Sequence, residues 1–276
     1  MQSRTADGPR ESLPRVVTQP QIRDGSVLLE ICLDSVESAV NAERGGADRV
    51  ELCAGLPEGG TTPSAGMIAA VRQKVKIGVQ VMIRPRGGDF CYTADEFSIM
   101  QRDILIAKQL GASGVVFGIL NVDGTVDKER MRQLIEMSRP LNVTCHRAFD
   151  MTCDFPQALD DLVLVGVNRV LTSGGKKSAV DAMPTLAQLV QHAQARISVM
   201  ACGELSPASV KAVISYTHVR EVHAGLNTTV TSPMKFRNQK ITMGTLAENE
   251  YQHQVVRESS VRELRTAIDA WDSAPA

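Results

Sequence analysis

The feature that most constrains this chain is an eightfold alternation of short apolar strand patterns with helical patterns. Most strand patterns are rich in Val and Ile, as expected for parallel strands that are covered on both faces. The segments between them show the 3.6-residue period of amphipathic helices. Eight β/α units in about 250 residues match a TIM (β/α)8 barrel, an α/β fold. The predicted strands are Val27–Leu33, Arg49–Cys53, Gly78–Ile83, Gly114–Ile119, Asn142–Cys145, Arg169–Leu171, Ile197–Met200 and Glu221–His223.

A doubly wound open sheet is the alternative arrangement of alternating strands and helices. The first strand-to-helix turn reads Cys32-Leu33-Asp34-Ser35 and lacks the glycine-rich fingerprint of dinucleotide-binding sheets. No domain boundary is visible after residue 26. We therefore predict a single TIM-barrel domain over residues 27–276, preceded by a disordered tail over residues 1–26.

Composition excludes several classes of partner. The net charge of −1 and the absence of a basic stripe predict no nucleic-acid partner. No apolar run approaches the roughly 18 residues of a membrane span, so no membrane partner is expected. The first 25 residues have no apolar core for a secretory signal. The six cysteines form no disulfide framework, which predicts reduced thiols in the cytosol or nucleus.

The first two predicted strands end alike, in Glu-Ile-Cys and Glu-Leu-Cys. Side chains alternate along a strand, so Glu30 shares a face with Cys32, and Glu51 shares a face with Cys53. A strand–helix–strand connection makes the strands parallel and brings their carboxyl ends to one edge. If the strands are neighbours, two thiols and two carboxylates lie close together.

Two thiols in this arrangement allow three interpretations. Soft thiolates select Cu(I), and two of them suffice for a near-linear site at Cys32 and Cys53. Zinc takes four ligands, which the nearby glutamates would complete. The third interpretation is that both cysteines are small buried core residues.

A second set of charged residues follows the strand ends. Paired carboxylates and a histidine perform general acid–base chemistry, with His146 as the candidate that changes protonation near pH 7. Two arginines clamp a carboxylate or phosphate, and the turn at Ser173 directs backbone amides toward an anion. The alternative is a salt-bridged plug in the barrel mouth. The acid–base candidates are Glu30, Glu51, His146 and Asp150, and the ligand-binding candidates are Arg84, Arg86, Ser173 and His223.

The segment from Asn227 to Ser260 is too long for a plain barrel connection. Loops of this length are functional lids or disordered segments. We predict a lid in which Lys235 or Arg237 reaches over the strand ends.

Several long motifs carry a family resemblance. The stretches EICLDSVESAVNAERGGADRVELCAGLPEGGTTPS, VMIRPRGGDF, HRAFDM, RVLTSG and MKFRN resemble the copper homeostasis protein CutC family in its animal form, in order from about Leu28 to Asn238. The resemblance implies a TIM barrel, Cu(I) binding, homo-oligomers, and a cytosolic location with the nucleus as an alternative. The chain departs from the family pattern at the ends of the seventh and eighth predicted strands, at Cys202-Gly203-Glu204 and His223-Ala224-Gly225.

Together these observations predict a cytosolic Cu(I)-binding protein of copper homeostasis, with Cys32 and Cys53 as the metal ligands. The alternative is a barrel enzyme that acts on a small anionic metabolite by acid–base chemistry at the strand ends. A third possibility is an oligomeric scaffold whose charged rim is only structural.

Overall fold

The eight predicted β/α units close into a barrel. The computed structural model describes residues 26–243 and 250–272. Eight parallel strands are hydrogen-bonded in chain order, and β8 returns to pair with β1. The TIM-barrel prediction is confirmed. The barrel strands are β1 Leu28–Leu33, β2 Arg49–Leu52, β3 Gly78–Met82, β4 Gly114–Phe117, β5 Asn142–Cys145, β6 Arg169–Thr172, β7 Ser198–Ala201 and β8 Glu221–Ala224.

Helices cover the outside of the barrel. Their apolar faces pack on outward side chains such as Val50, Val79 and Val170, which gives one large buried core. Short polar side chains fix where several helices begin: Ser35 and Ser64 each accept a hydrogen bond from a backbone N–H of the first helical turn. The helices are α1 Val36–Gly45, α2 Ala65–Lys74, α3 Ala94–Gln109, α4 Lys128–Ser138, α5 Phe155–Val165, α6 Met183–Ala193, α7 Val210–Thr217 and α8 Glu258–Asp272.

The long segment after β8 contains a secondary structure that we did not predict. β9 (Asn227–Thr231) and β10 (Gln252–Val256) form a two-stranded antiparallel sheet. The end of β10 is fastened to α1: the Val256 N–H donates to Ser38 Oγ at 3.0 Å, and Asn41 Nδ2 donates to the Val256 carbonyl at 3.0 Å. The segment is therefore a hairpin docked beside the barrel rather than one continuous loop.

Two further predictions concern the N-terminal tail and membrane-spanning helices. Apart from Ser26, the predicted disordered tail over residues 1–26 lies outside the described residues. Within the described ranges, none of the helices combines the length and apolar character needed to cross a bilayer.

Candidate functional site

The interior of the barrel begins with a layer of buried ion pairs. Arg49 donates to both Glu30 and Glu221, and Arg169 donates to Glu221 with a 3.1 Å bond from Nη2 to Oε1. All four side chains are buried. Burial alone would raise the pKa of Glu30, but the charge of Arg49 and the hydrogen bond from His223 lower it. Glu30 is therefore held as a carboxylate and is a poor candidate for proton transfer.

The two cysteines meet in the layer above. Cys32 pairs with Glu51 in the parallel register of β1 and β2, and Cys53 follows β2 on the same face. The Cys32 and Cys53 Sγ atoms lie 3.9 Å apart, and Cys53 Sγ lies 3.6 Å from Glu51 Oε2. The hydrogen bond from Cys53 lowers the pKa of Cys32 to about 5, although burial opposes the shift. The same bond raises the pKa of Cys53. The arrangement favours one thiolate and one thiol.

His223 and Glu51 flank the thiol pair. His223 Nδ1 donates to Glu30 Oε1 at 2.8 Å, and His223 Nε2 lies 3.8 Å from Glu51 Oε2. Burial would lower the pKa of His223, but hydrogen bonds with Cys32 and Glu30 raise it well above its usual value. Burial raises the pKa of Glu51, and the negative charge of Cys32 adds to this. Two trios have ligand atoms close enough to share a metal ion: Cys32, Glu51 and Cys53, and Glu30, Glu51 and His223.

A cavity of about 300 Å³ opens above these residues at the carboxyl ends of the strands. Its floor includes Cys32, Glu51 and His223, and its walls include Leu56 and Phe90. The predicted convergence of thiols, carboxylate and imidazole at one rim is therefore present in the structure. The remaining lining residues are Gly59, Met82, Arg84, His146, Arg147 and Leu171.

His146 lines this cavity but does not have the acid–base character that we expected. Burial and the nearby charge of Arg84 lower the pKa of His146 to about 3, so the imidazole is neutral near pH 7. Its Nδ1 accepts a hydrogen bond from the Ala148 N–H at 3.2 Å, which places the ring hydrogen on Nε2. The structure therefore does not favour the expected change of protonation of His146 near pH 7. The residue is a hydrogen-bond donor.

Arg84 organises two loops at the rim. Its Nη1 donates to the carbonyls of Glu58 and Gly60 at 3.0 and 2.8 Å, and its Nη2 donates to the carbonyl of Gly88 at 2.8 Å. The guanidinium also lies over the Phe90 ring, 5.0 Å from its centroid. Most of the Nη donors that would clamp a ligand are thus bonded to backbone carbonyls.

Arg86 is not among the residues that line the cavity. Its Nε donates to Glu96 Oε1 at 2.6 Å, its Nη2 pairs with Asp89 Oδ1 at 3.0 Å, and its guanidinium stacks on Tyr92. These contacts tie the loop after β3 to the first turn of α3. The structure does not place Arg84 and Arg86 together as the substrate clamp that we predicted.

Asp150 and Ser173 are hydrogen-bonded to each other. Asp150 Oδ2 accepts from the Ser173 N–H at 3.1 Å, and Asp150 Oδ1 accepts from the Gly175 N–H at 3.1 Å. Arg147 Nε donates to Asp150 Oδ2 at 2.8 Å and completes the cluster. Backbone amides that we expected to bind an anion are thus occupied by an internal carboxylate, and Asp150 fixes the β6 turn.

Lys235 and Arg237 lie in the β9–β10 segment and are not among the lining residues of the cavity. Arg237 donates to the carbonyls of Ser232 and Tyr251 at 3.1 and 3.3 Å, and it stacks on the Tyr251 ring. Lys235 is exposed. In this structure Arg237 stabilises its own segment and does not reach over the strand ends.

Sequence reasoning missed three of the four residues in the ion-pair layer. Arg49, Arg169 and Glu221 each occupy the first position of a strand and point into the barrel. Their signal was strand parity, since Arg49 is two residues before Glu51 and Glu221 is two residues before His223. Phe90 and Leu56 were also missed because they lie in rim loops, where no periodic pattern marks them.

Comparison with known proteins identifies the family. The model of the CutC family matches residues 27–228, most of the chain. The chain belongs to the CutC family. It is 49% identical over 238 residues to the Copper homeostasis protein cutC homolog of Homo sapiens, covering 86% of this chain and 87% of that protein. A CutC family protein of Mesorhizobium japonicum is 48% identical over 217 residues, covering 79% and 84% of the two chains.

Solved structures agree with this membership. The crystal structure of a putative copper homeostasis protein CutC from Streptococcus agalactiae superposes with a TM-score of 0.68 at 34% identity, covering 71% of this chain and 97% of that chain. A thiamine phosphate pyrophosphorylase from Pyrococcus furiosus gives a TM-score of 0.55 at 14% identity, covering 89% and 96% of the two chains, and this likeness concerns the barrel fold alone.

Proposed function

We propose that this protein binds Cu(I) through Cys32 and Cys53 as part of copper homeostasis. Membership of the CutC family supports the role in copper homeostasis. The observation that carries the metal proposal is the thiol pair itself, with its two Sγ atoms 3.9 Å apart and with Cys32 in the lining of the cavity. Soft thiolates select Cu(I) over harder ions.

The sulfur separation fits a two-thiolate site. Two metal–sulfur bonds of about 2.3 Å in a line span about 4.6 Å. The observed 3.9 Å is slightly shorter, so the pair accepts copper with a bent geometry or a small outward movement of one side chain. A bent site leaves a third position on the side of Glu51, whose Oε2 already lies 3.6 Å from Cys53 Sγ.

Zinc is a weaker match for the same residues. A structural zinc ion takes four protein ligands. Beyond the two thiols and Glu51, the neighbouring Glu30 is engaged by Arg49, and His223 Nδ1 is engaged by Glu30. The remaining fourth ligand would be His223 Nε2, 3.8 Å from Glu51 Oε2, which must first lose a proton although the pKa of His223 is raised, whereas Cu(I) requires only the thiols.

An anaerobic Cu(I) titration against a chromogenic competitor tests the proposal. We expect one tightly held Cu(I) per chain in the wild type and its loss in the Cys32→Ser/Cys53→Ser variant. Cys153→Ser is the matched control, because Cys153 is an exposed free thiol away from the cavity. Unchanged stoichiometry in the double variant, or tighter binding of Zn²⁺ than of Cu(I), would remove Cys32 and Cys53 as a copper site.

We further propose that the site operates in the cytosol. A reducing compartment keeps the two thiols available to metal, and the cysteines of the described chain are free. The nuclear location and the homo-oligomer implied by the family resemblance stay predictions.

A further inference from the structure

His146 presents a buried hydrogen-bond donor to the barrel-mouth cavity. Its side chain is 3% exposed, and its Nδ1 is occupied by the Ala148 N–H, so Nε2 carries the hydrogen. Among the described residues, Nε2 has no hydrogen-bond partner. Buried donors are almost always paired, and leaving one unpaired is unfavourable. A ligand that accepts from Nε2 would remove this penalty.

Arg84 brings an uncompensated positive charge to the same wall. Its side chain is 4% exposed, and its Nη hydrogen bonds all go to neutral backbone carbonyls. In the described part of the chain, no carboxylate forms an ion pair with it, in contrast to Arg49, Arg86 and Arg147. A buried charge without a counter-ion is costly. The wall therefore favours a negatively charged ligand.

One aromatic ring joins these two groups. The Phe90 ring centroid lies 4.9 Å from that of His146 and 5.0 Å from the Arg84 guanidinium carbon. Leu56, Met82 and Leu171 extend the apolar surface around the cavity. The donor and the charge thus border an apolar part of the cavity, and Glu51, Arg147 and His223 line other parts of it. A mainly apolar surface with a few placed polar groups is typical of small-molecule sites.

We propose that the barrel mouth binds a small organic carboxylate. One carboxylate oxygen accepts the hydrogen bond from His146 Nε2, and the negative charge lies beside Arg84. The apolar part of the ligand packs on Phe90 and Leu171. A cavity of about 300 Å³ holds a volume similar to about ten water molecules, so the acid has at most about ten non-hydrogen atoms.

A carboxylate fits this wall better than a phosphate. Phosphate groups are held by several backbone amides or by a helix N-terminus. The amides at the β6 turn, those of Ser173 and Gly175, are already bonded to Asp150. Two donors that lack a partner among the residues described, His146 Nε2 and Arg84 Nε, beside Phe90 and Leu171 match an oxygen pair on an apolar body. Inorganic phosphate is therefore the natural competitor in a test.

The carboxylate site stands apart from the copper proposal. His146 follows β5, which is four strands away from β1, the strand of Cys32, in the barrel order. Nothing in the argument for the donor and the charge requires a metal. The two proposals can therefore fail separately.

Calorimetric titration of the full chain at pH 7 tests the site, with acetate, propionate and benzoate as probes. Propionamide and inorganic phosphate are the comparators, since one lacks the charge and the other lacks the apolar body. We expect one of the carboxylates to bind one per chain, and propionamide and phosphate to bind at least about tenfold more weakly.

Two variants and one control assign the donor. His146→Phe keeps a ring but removes the N–H, and we expect at least about tenfold weaker binding. His146→Gln keeps a side-chain N–H and should bind within about threefold of the wild type. Cys153→Ser, at an exposed thiol that does not line the cavity, should bind the carboxylate as the wild type does.

A spectroscopic measurement covers the case in which His146→Phe does not fold. In wild-type protein labelled with 15N histidine, the His146 Nε2–H resonance should shift when the carboxylate is added. The proposal is overturned if no carboxylate probe binds, if propionamide or phosphate binds as well as the carboxylates, or if the His146 resonance does not move.

Discussion

His223 donates a 2.8 Å hydrogen bond from Nδ1 to Glu30 Oε1, and this bond joins the ion-pair layer of the barrel to the thiol layer above it. The other carboxylate oxygen of Glu30 accepts from Arg49. Glu30 is thus held from both sides, and its position fixes the imidazole that flanks Cys32. Through these two bonds the ion-pair layer is connected to the imidazole beside Cys32, one of the metal ligands that we propose.

Arg49→Met should strongly destabilise the fold. The substitution leaves Glu221 with Arg169 only and deprives Glu30 of its arginine, and breaking a buried ion pair on one side costs about 3–5 kcal/mol. Urea unfolding followed by circular dichroism measures the change. Arg262→Met is the matched control: Arg262 is exposed, its ion pair with Glu258 lies within its own helix, and its one bond to another helix is a long 3.4 Å contact with the Arg44 carbonyl. Its loss should therefore cost at most about 0.5 kcal/mol. Equal effects of the two substitutions would contradict a structural role for the layer.

Stability should fall as the pH is lowered from 6.5 toward 3, and His146 should account for a defined part of the fall. The pKa of His146 is about 3 in the folded state and 6.5 in its unperturbed state, so the unfolded chain binds the extra proton in this window. Protonation therefore favours unfolding as the pH drops. Between pH 6.5 and 5 the contribution is about 1.5–2 kcal/mol.

The difference between wild type and His146→Gln isolates this contribution, because Gln does not titrate. On going from pH 6.5 to pH 5, the free energy of unfolding of the wild type should fall by about 1.5–2 kcal/mol more than that of the variant. A wild-type curve parallel to that of the variant would show that His146 is not buried as a neutral imidazole.

Gly60→Ala should weaken Cu(I) binding, whereas Gly166→Ala should leave it unchanged. A Cβ added at Gly60 would lie 3.2 Å from Cys53 Sγ, so the thiol must move. Gly60 also has φ +87°, which adds strain for any other residue. The competitor titration should show at least about tenfold weaker copper binding, since metal geometry depends on such neighbours.

Gly166→Ala distinguishes the effect of backbone strain from the effect of the contact with Cys53. Its φ is +92°, and an added Cβ meets nothing within 4 Å. It should therefore lower stability by about 1 kcal/mol, as strain does, and leave copper affinity unchanged. If both variants bind copper like the wild type, the position of Cys53 does not control the site.

Arg84→Met should loosen the rim loops. The guanidinium holds three backbone carbonyls, and its removal leaves those of Glu58, Gly60 and Gly88 without these partners. We expect faster amide exchange over residues 55–62 and 86–90, together with a loss of about 2–3 kcal/mol in stability. Hydrogen exchange with mass spectrometry measures the first quantity. Arg102→Met, at an exposed position of α3, should change neither.

Most of what could be predicted from the sequence follows from the alternation of side chains between the two faces of each strand. The alternation of apolar patterns predicts the barrel, and the Glu-x-Cys repeat places Cys32 and Cys53 on adjoining interior positions, as the structure has them. The same alternation places Arg49 on the inward face. An arginine at the start of a strand is nevertheless expected at the surface until its partners Glu30 and Glu221 are known.

Loop conformation accounts for what the sequence did not predict. The depressed pKa of His146 depends on burial at a rim where Phe90, which lies in a loop without period, packs against its ring. The engagement of Arg84 and Asp150 depends in the same way on where loop backbones turn. β9 and β10 were missed because their alternation is of Thr, Gln and Val, with little apolar contrast.

Asp150 behaves as a ligand tethered to its own receptor. Its carboxylate lies on the amides of Ser173 and Gly175 and beside Arg147. A group attached to the chain has an effective concentration of about the millimolar range or higher, with no association step to complete. Free phosphate esters would have to displace it to reach these amides. The folded chain itself therefore hinders a phosphate group from reaching the amides of this turn.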